Sequence, residues 1–281
     1  MAITITRLRI ADIDALVECF NHSFSDYIFP RSIDKELLKA KIDAESIKLS
    51  LSAGAWDDGK LVGFILHGFD VVDGEKIVYN AGTGVIPGMR GNKLSVKMYQ
   101  YALPELHSRG MRKIRLEVIP ENIPALRIYE QTSFKILREL HCFKGPVQIN
   151  NADQKFRIEK LTSYNWELLE SFWDWIPSWQ NETTAVENLV YSNVSLGIYE
   201  NDLLIGYLVY NPDSKRIQQF AISRKYRNRG AAKQLFAFIA KNYGEEMSVI
   251  NVDATAKETI SFLNAIGLSY FVRQYEMEMK L

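Results

Sequence analysis

One stretch of this chain occurs twice, and the repeat limits what the chain can fold into. Residues 85–95 read Val-Ile-Pro-Gly-Met-Arg-Gly-Asn-Lys-Leu-Ser, and a related stretch returns at 222–232 as Ile-Ser-Arg-Lys-Tyr-Arg-Asn-Arg-Gly-Ala-Ala. Arg90 and Arg227 anchor the match and stand about half of the 281 residues apart. Each copy ends an apolar segment, passes through a short basic loop and opens a helical pattern. A basic loop between a strand end and a helix N-terminus is a device for holding phosphate, because unpaired backbone N–H groups and the positive helix end converge there.

The periodicity around each copy repeats as well. Alternation predicts a strand over 3–10, and helical spacing of Ile13, Leu16, Val17 and Phe20 predicts a helix over 12–24. A second helix opens at Ser32, and strands follow over 51–56, 61–71 and 76–86. Asp57-Asp-Gly and Asp73-Gly supply hairpin turns between them. A helix over 92–108 stops at Gly110. Strand 113–119, helix 123–131 and strand 134–143 complete the set.

The second half runs strand 156–161, an aromatic helix 166–175, strands 193–199, 203–210 and 216–222, helix 230–242, strand 248–253, helix 258–265 and strand 270–279. The Gly-, Pro- and Asn-containing stretch between the halves is the best linker. The reading is two domains of one α+β fold: 1–145, a linker at 146–155, and 156–281. Repetition on this length scale means duplicated domains rather than a solenoid.

Bulk properties narrow the function. Lys+Arg and Asp+Glu both number 34, so no overall basic field favours nucleic acid. Cys19 and Cys142 have neither metal-ligand nor Cys-x-x-Cys spacing, and read as buried free thiols of a reducing compartment. The first residues are too polar for a signal segment, and no apolar run reaches the ~18 residues of a membrane helix. The expectation is a cytoplasmic protein with no metal, nucleic-acid or membrane partner, either a monomer or a homodimer.

The loops, and the element order around them, resemble the GNAT superfamily of acetyl-CoA-dependent N-acyltransferases. The loop pattern of that family is Gln/Arg-x-x-Gly-x-Gly/Ala. Arg227, Asn228, Arg229, Gly230, Ala231 and Ala232 match it fully. Arg90, Gly91, Asn92, Lys93, Leu94 and Ser95 match at Arg90, but have Lys93 for Gly and Ser95 for Gly or Ala. The resemblance implies two tandem domains, each a mixed, mostly antiparallel sheet flanked by helices. It also implies a fourth strand splayed from the fifth, with pantetheine in the gap and pyrophosphate on the loop amides. Arg90 and Lys93 would add charge there. Thr83, Gly84 and Val85 lie on a Gly-rich strand where a bulge would open the sheet, and could offer backbone groups to pantetheine.

A second motif follows the fifth strand. Asn122, Ala125, Tyr129 and Phe134 stand at the spacing of the family's Asn-x-x-Ala-x-x-x-Tyr-x-x-x-Gly-Phe, with Ser133 for Gly. The resemblance makes Tyr129 the acid that protonates the departing thiolate, and lists Asn122 with the cofactor site. Aligning Gly267 with Ser133 puts Leu263 opposite Tyr129, and leucine cannot donate a proton. The first domain is therefore expected to be catalytic although its loop is the less regular.

Glu117 is the candidate base, with Glu121 and His67 behind it; its plain alternative is a strand carboxylate facing solvent. Residues 24–31, with Asp26 and Tyr27, are candidates for the acceptor site. The aromatic run 172–179 either lines a pocket or packs. The implied activity is transfer of an acetyl group from acetyl-CoA to a primary amine of a small molecule or peptide. The rival reading is a non-catalytic CoA-binding or partner-binding protein with two degenerate domains.

Overall fold

The computed structural model describes residues 3–27, 32–72, 74–149 and 155–281. The chain divides into two compact units. One comprises the residues up to Leu137 together with Tyr275–Leu281, and the other is Arg138–Gln274. This differs from the expected division at 146–155. The reason is strand pairing: the last strand of each half leaves the unit in which it begins.

In the first unit the order is β1 (Thr4–Arg7), α1 (Ile13–Ser23), α2 (Lys35–Ala44), β2 (Ala53–Asp57), β3 (Lys60–Val72), β4 (Glu75–Val85), α3 (Leu94–Ser108), β5 (Lys113–Val118) and α4 (Ile123–Gln131). β1 to β4 form an antiparallel meander. β4 then runs parallel to β5, and only over Ile77–Tyr79 against Lys113–Arg115. Beyond that rung the two strands fork. The other edge of β5 is filled by residues 275–280, antiparallel along its whole length.

α1 and α3 cover opposite faces of this sheet. Phe64 stacks on Phe20 of α1, with ring centroids 5.8 Å apart. On the other side of β3, the Cα of Gly63 faces Met98 and the ring of His67 faces Tyr99, both in α3. The strand alternation is thus used on both sides. The apolar stripe of α1 (Ile13, Leu16, Cys19, Phe20) is buried, as its helical spacing requires. Asp34 and Asn122 cap α2 and α4, accepting from Leu37 N at 2.8 Å and Ala125 N at 3.2 Å.

The second unit repeats the plan. After β6 (Lys135–Pro146) come β7 (Arg157–Lys160), α5 (Trp166–Glu170), α6 (Thr183–Asn188), β8 (Val194–Glu200), β9 (Leu203–Asn211), β10 (Arg216–Ile222), α7 (Ala231–Tyr243), β11 (Glu246–Asp253), α8 (Lys257–Ala265) and β12 (Ser269–Lys280). β7 to β10 are antiparallel neighbours. β10 pairs in parallel with β11 only at Arg216 and Ile217, so this sheet forks too. Residues 140–146 of β6 fill the far edge of β11. Leu208 and Tyr210 of β9 face the α7–α8 side, whereas Tyr207 and Val209 face α5 and α6.

The expected helix over 166–175 stops at Glu170. The aromatic run beyond it is loop. Phe172 and Trp179 are buried there, and Trp173 Nε1 donates to the Tyr207 hydroxyl at 2.5 Å. Pro177 and the polar tips of the tryptophans suit irregular backbone better than a helix. Periodicity also gave no sign of α6. Cys19 and Cys142 are buried and not disulfide-bonded. Among the described residues no helix is long and apolar enough to cross a membrane.

Candidate active site

The fork between β4 and β5 opens into a cavity of about 730 Å³ in the first unit. Its walls include Thr83, Gly84 and Val85 of β4, Arg90, Gly91, Lys93, Leu94 and Ser95 of the loop, and Asn122, Ala125 and Tyr129 at α4; Asn92 is not among them, its side chain donating to Met89 O at 3.1 Å. Past Tyr79 the β5-facing edge of β4 has no ladder partner, so backbone groups of 83–85 are presented to the cavity. A bulge makes this possible. Leu66 pairs with Gly82 and His67 with Asn80, leaving Ala81 as the extra residue. Asn80 holds the bulge: its Oδ1 accepts from Gly82 N at 3.0 Å, and its Nδ2 donates to Thr83 Oγ1 at 2.9 Å and to the Tyr99 hydroxyl at 2.7 Å. Gly84 lies so close to Phe64 and α1 that an added Cβ would come within 2.6 Å of the Phe64 ring.

The loop keeps its geometry in both units despite the sequence differences. Gly91 (φ 82°) and Lys93 (φ 57°) are left-handed in the first, Asn228 (φ 59°) and Gly230 (φ 90°) in the second. The glycine has exchanged places between two left-handed positions. Lys93 adopts the backbone that the family pattern assigns to glycine, and α3 starts directly after it.

The loop arginines are both engaged within the protein. Arg90 donates to both carboxylate oxygens of Asp26 at 2.6 and 2.8 Å, to Ser23 O at 2.9 Å and to Val85 O at 3.2 Å. Arg227 repeats this with Asp174 at 2.8 Å, Phe172 O at 3.0 Å and Ile222 O at 2.9 Å. Each guanidinium is a strut tying the loop to its preceding strand and to the first helical region. Most of its donors are engaged in this way, although each guanidinium also borders its cavity. The Arg90 guanidinium in turn holds the Asp26 carboxyl below the usual range. Asp26 and Tyr27 line the cavity, and residues 28–31 of the proposed acceptor segment lie outside the described residues. Arg229 is paired with Glu200. Lys93 is exposed and ion-paired with none of the described residues, so it supplies the uncommitted charge of the first loop.

Tyr129 is buried at the cavity wall, with its ring edge-on to Phe134 at 5.5 Å. Desolvation pushes its hydroxyl up to about 12, against smaller opposing contributions from hydrogen bonding to Thr83 and Asn80. The phenol therefore keeps its proton throughout the neutral range, as a proton donor must.

Glu117 is not a solvent-facing strand carboxylate. It stands just past the last rung of the β4–β5 ladder, and the Tyr79 hydroxyl donates to its Oε2. Leu116 and Val118 on either side point into the core, so Glu117 faces the opposite side of the sheet, towards Lys41 of α2 and Glu45 just after it. Burial, and then the charge of Glu276, push its carboxyl up to about 8. The fork thus has a hydroxyl cluster on its α3 face and a carboxyl on its α2 face. Glu117 is not among the residues lining the cavity, whereas Glu121 is. His67 is not brought to the site. Its Nδ1 meets Leu51 O at 2.7 Å, and full burial pushes it down to about 4.

The second unit has a cavity of about 360 Å³ bordered by Arg227, Asn228, Gly230, Ala231 and Ala232. Ser133 (φ 72°) and Gly267 (φ 99°) are matching left-handed residues after α4 and α8, which fixes Leu263 opposite Tyr129. Leu263 is fully buried. Counting back equally from the helix caps Asn122 and Ala256 puts Asn251 in the place of Glu117. Asn251 is buried and bonded to Ser178 Oγ at 2.9 Å and to Gln274 Nε2 at 2.8 Å. Phe220 stands where Thr83 stands. Sequence reasoning missed Asn251, Tyr79 and Glu276, since only the fold brings them to their positions.

A forked mixed sheet with an amide loop at its mouth, present twice, defines a tandem acyltransferase architecture. The chain belongs to the acetyltransferase (GNAT) family, whose model matches residues 13–134 and 158–267. Solved structures share the fold. A GCN5-related N-acetyltransferase from Sphaerobacter thermophilus aligns over 99% of this chain and 95% of its own, at 15% identity and TM-score 0.73. A tandem GNAT protein of the clavulanic acid biosynthesis pathway aligns over 99% and 98%, at 11% identity and TM-score 0.71. A GCN5-related N-acetyltransferase from Kribbella flavida aligns over 100% and 71%, at 12% identity and TM-score 0.63. At such identities the likeness is one of fold. No curated protein matches the chain in sequence.

Proposed function

We propose that the chain is an N-acetyltransferase that uses the first unit to move an acetyl group from acetyl-CoA to a primary amine of a small molecule or peptide. The observation that carries this reading is the buried Tyr129 hydroxyl on the wall of the same cavity whose rim is the 90–95 loop. The loop N–H groups and Lys93 would hold the pyrophosphate, the free edge of β4 at 83–85 the pantetheine amides, and Asn122 would keep α4 in place through its cap.

The amine nitrogen attacks the thioester carbonyl and a C–N bond forms. Backbone N–H near Val85 stabilises the oxyanion, and the C–S bond breaks as Tyr129 gives its proton to the thiolate. Glu117, which does not itself line the cavity, takes the ammonium proton by way of water. The dry wall that disfavours the phenolate equally disfavours a bare thiolate, so the proton moves at the moment charge develops.

The second unit keeps the loop but has leucine and asparagine where the acid and base stand, which favours binding without chemistry. Its loop, 227–232, is a weaker cofactor loop on this reading, because Asp174 and Glu200 neutralise its arginines. Two buried cysteines that are not disulfide-bonded suit a reducing compartment such as the cytoplasm.

The test is carried out on the full chain. Ser95 lies in the first turn of α3, where aspartate suits the helix but repels phosphate. Ser95→Asp should abolish acetyl-CoA binding by calorimetry and thiol release with amines. Ala232→Asp, its counterpart, should leave thiol release intact. The reverse pattern would move the reaction to the second unit. Tyr129→Phe should cut turnover by about 10²-fold or more while changing affinity little. Binding without thiol release across a broad amine panel would favour the non-catalytic reading.

A further inference from the structure

The residue directly opposite Glu117 on the returning strand is another glutamate. Glu276 is the antiparallel register partner of Glu117, and opposed residues of an antiparallel pair project from the same face. Glu276 is itself buried. The groups facing Glu117 are the Tyr79 hydroxyl from β4, Glu276 from β12, and Lys41 of α2 with Glu45 just after it. Lys41 is already engaged by Glu45 at 2.6 Å. Next along the same face, Arg115 and Glu278 pair at 3.1 Å. Two further carboxyls, Glu276 and Glu45, thus act on Glu117, and the nearby lysine is engaged by one of them.

Like charges directly opposite one another in a sheet cost stability, and more so when buried. Across the register the charge of Glu276 acts on the proton of Glu117.

We propose that Glu276 is a positioning residue for the first-unit reaction, acting through Glu117: from the returning strand its charge sets when Glu117 holds a proton and when it releases one. This rests on Glu117 being the base. Tyr79 opposes it by donating to the ionised form. Between them they place Glu117 where its protonation changes near neutral pH, the condition a general base needs. The device also makes the site depend on a residue at the far end of the chain.

The sign follows directly. A base must be ionised to act, so the rate rises with pH through the titration of Glu117, whose midpoint is about 8. Removing the neighbouring charge makes ionisation easier and moves that rise to lower pH. The test has two readouts on the full-length protein. The first is ¹³C NMR titration of glutamate side-chain carboxyls without ligand, with the Glu117 resonance assigned by its absence in Glu117→Gln. The second is the pH profile of kcat/KM for thiol release.

Glu276→Gln and Glu276→Met should both lower the Glu117 midpoint by about one pH unit or more, a typical like-charge effect. Glu276→Asp should restore it. The rise in kcat/KM should move with it, making Glu276→Gln several-fold faster than wild type on the acid side. A purely structural role would lower the rate at every pH and leave the midpoint in place. An unmoved midpoint in both neutral variants overturns the proposal while leaving Glu117 as base. A moved midpoint with an unmoved rate profile, or full turnover in Glu117→Gln, overturns the role of Glu117 and the proposal with it.

Discussion

Arg90 borders the cavity while most of its donors are engaged within the protein. In both units the loop arginine is bound to an aspartate and to two main-chain carbonyls, one of the preceding strand and one of the first helical region. If it gripped phosphate, Asp26→Ala would free its charge and tighten acetyl-CoA binding. As a strut, Arg90→Ala and Asp26→Ala should each weaken binding by about fivefold, the scale of an exposed ion pair, and the double variant should be no worse than the poorer single. Calorimetric affinities of the three proteins decide it. At this scale the sequence was partly legible. Tyr129 could be found from its spacing to Asn122, Ala125 and Phe134, since α4, its cap and the turn after it carry all four. The role of Arg90 could not, because Asp26 lies far off in sequence and a basic loop looks alike whether its charge is free or bound. The surroundings of Glu117 were hidden for the same reason: Tyr79, Glu45 and Glu276 come from distant parts of the chain.

The loop-helix element was the most legible, and the structure explains why two departures from the family pattern leave its shape unchanged. The loop needs two left-handed residues, and each copy supplies one glycine, at the first place (Gly91) or at the second (Gly230). Lys93 carries the strain in the first copy, on the order of 1 kcal/mol for a side chain in that region. Lys93→Gly should therefore raise unfolding free energy by about 0.5–1 kcal/mol in a urea titration. It should also weaken acetyl-CoA binding and flatten its salt dependence, because the loop's uncommitted charge is gone. Stabilisation together with weakened binding would show that strain is retained at this position for the charge it allows. The bulges that open the two forks, at Ala81 and Gln218, were expected only in the first half, where glycines flank the site. The second is built without glycine neighbours and gave no signal. The aromatic run after α5 misled for a related reason: Trp166, Leu169 and Trp173 fit a helical stripe, but Trp173 reaches the Tyr207 hydroxyl from a loop.

For the whole molecule, a duplicated fold was readable from element order, and the exchange of final strands was not. Nothing in the pattern of 269–280 tells which sheet edge it will fill, since both forks offer a β5-like edge. The structure gives residues 275–280 to β5, with Met277 and Met279 in the first core. A fragment ending near 145 would therefore lack the partner of β5 and two core side chains, and its failure to bind would say nothing about the first unit. Deleting 275–281 from the full chain tests the same dependence. Each buried methionine is worth about 2 kcal/mol or more, so losing both removes a large part of a typical stability of about 5–15 kcal/mol. The bared β5 edge would also template association. The truncated protein should show a lower first unfolding transition, larger species in size exclusion, and no thiol release even at pH values where Glu117 is ionised. A synthetic peptide of residues 269–281 should restore part of the transition. A truncated protein with an unchanged melting profile would mean that the returning strand adds little to the first unit. The contribution of Glu276 would then have to be sought in the catalytic step alone.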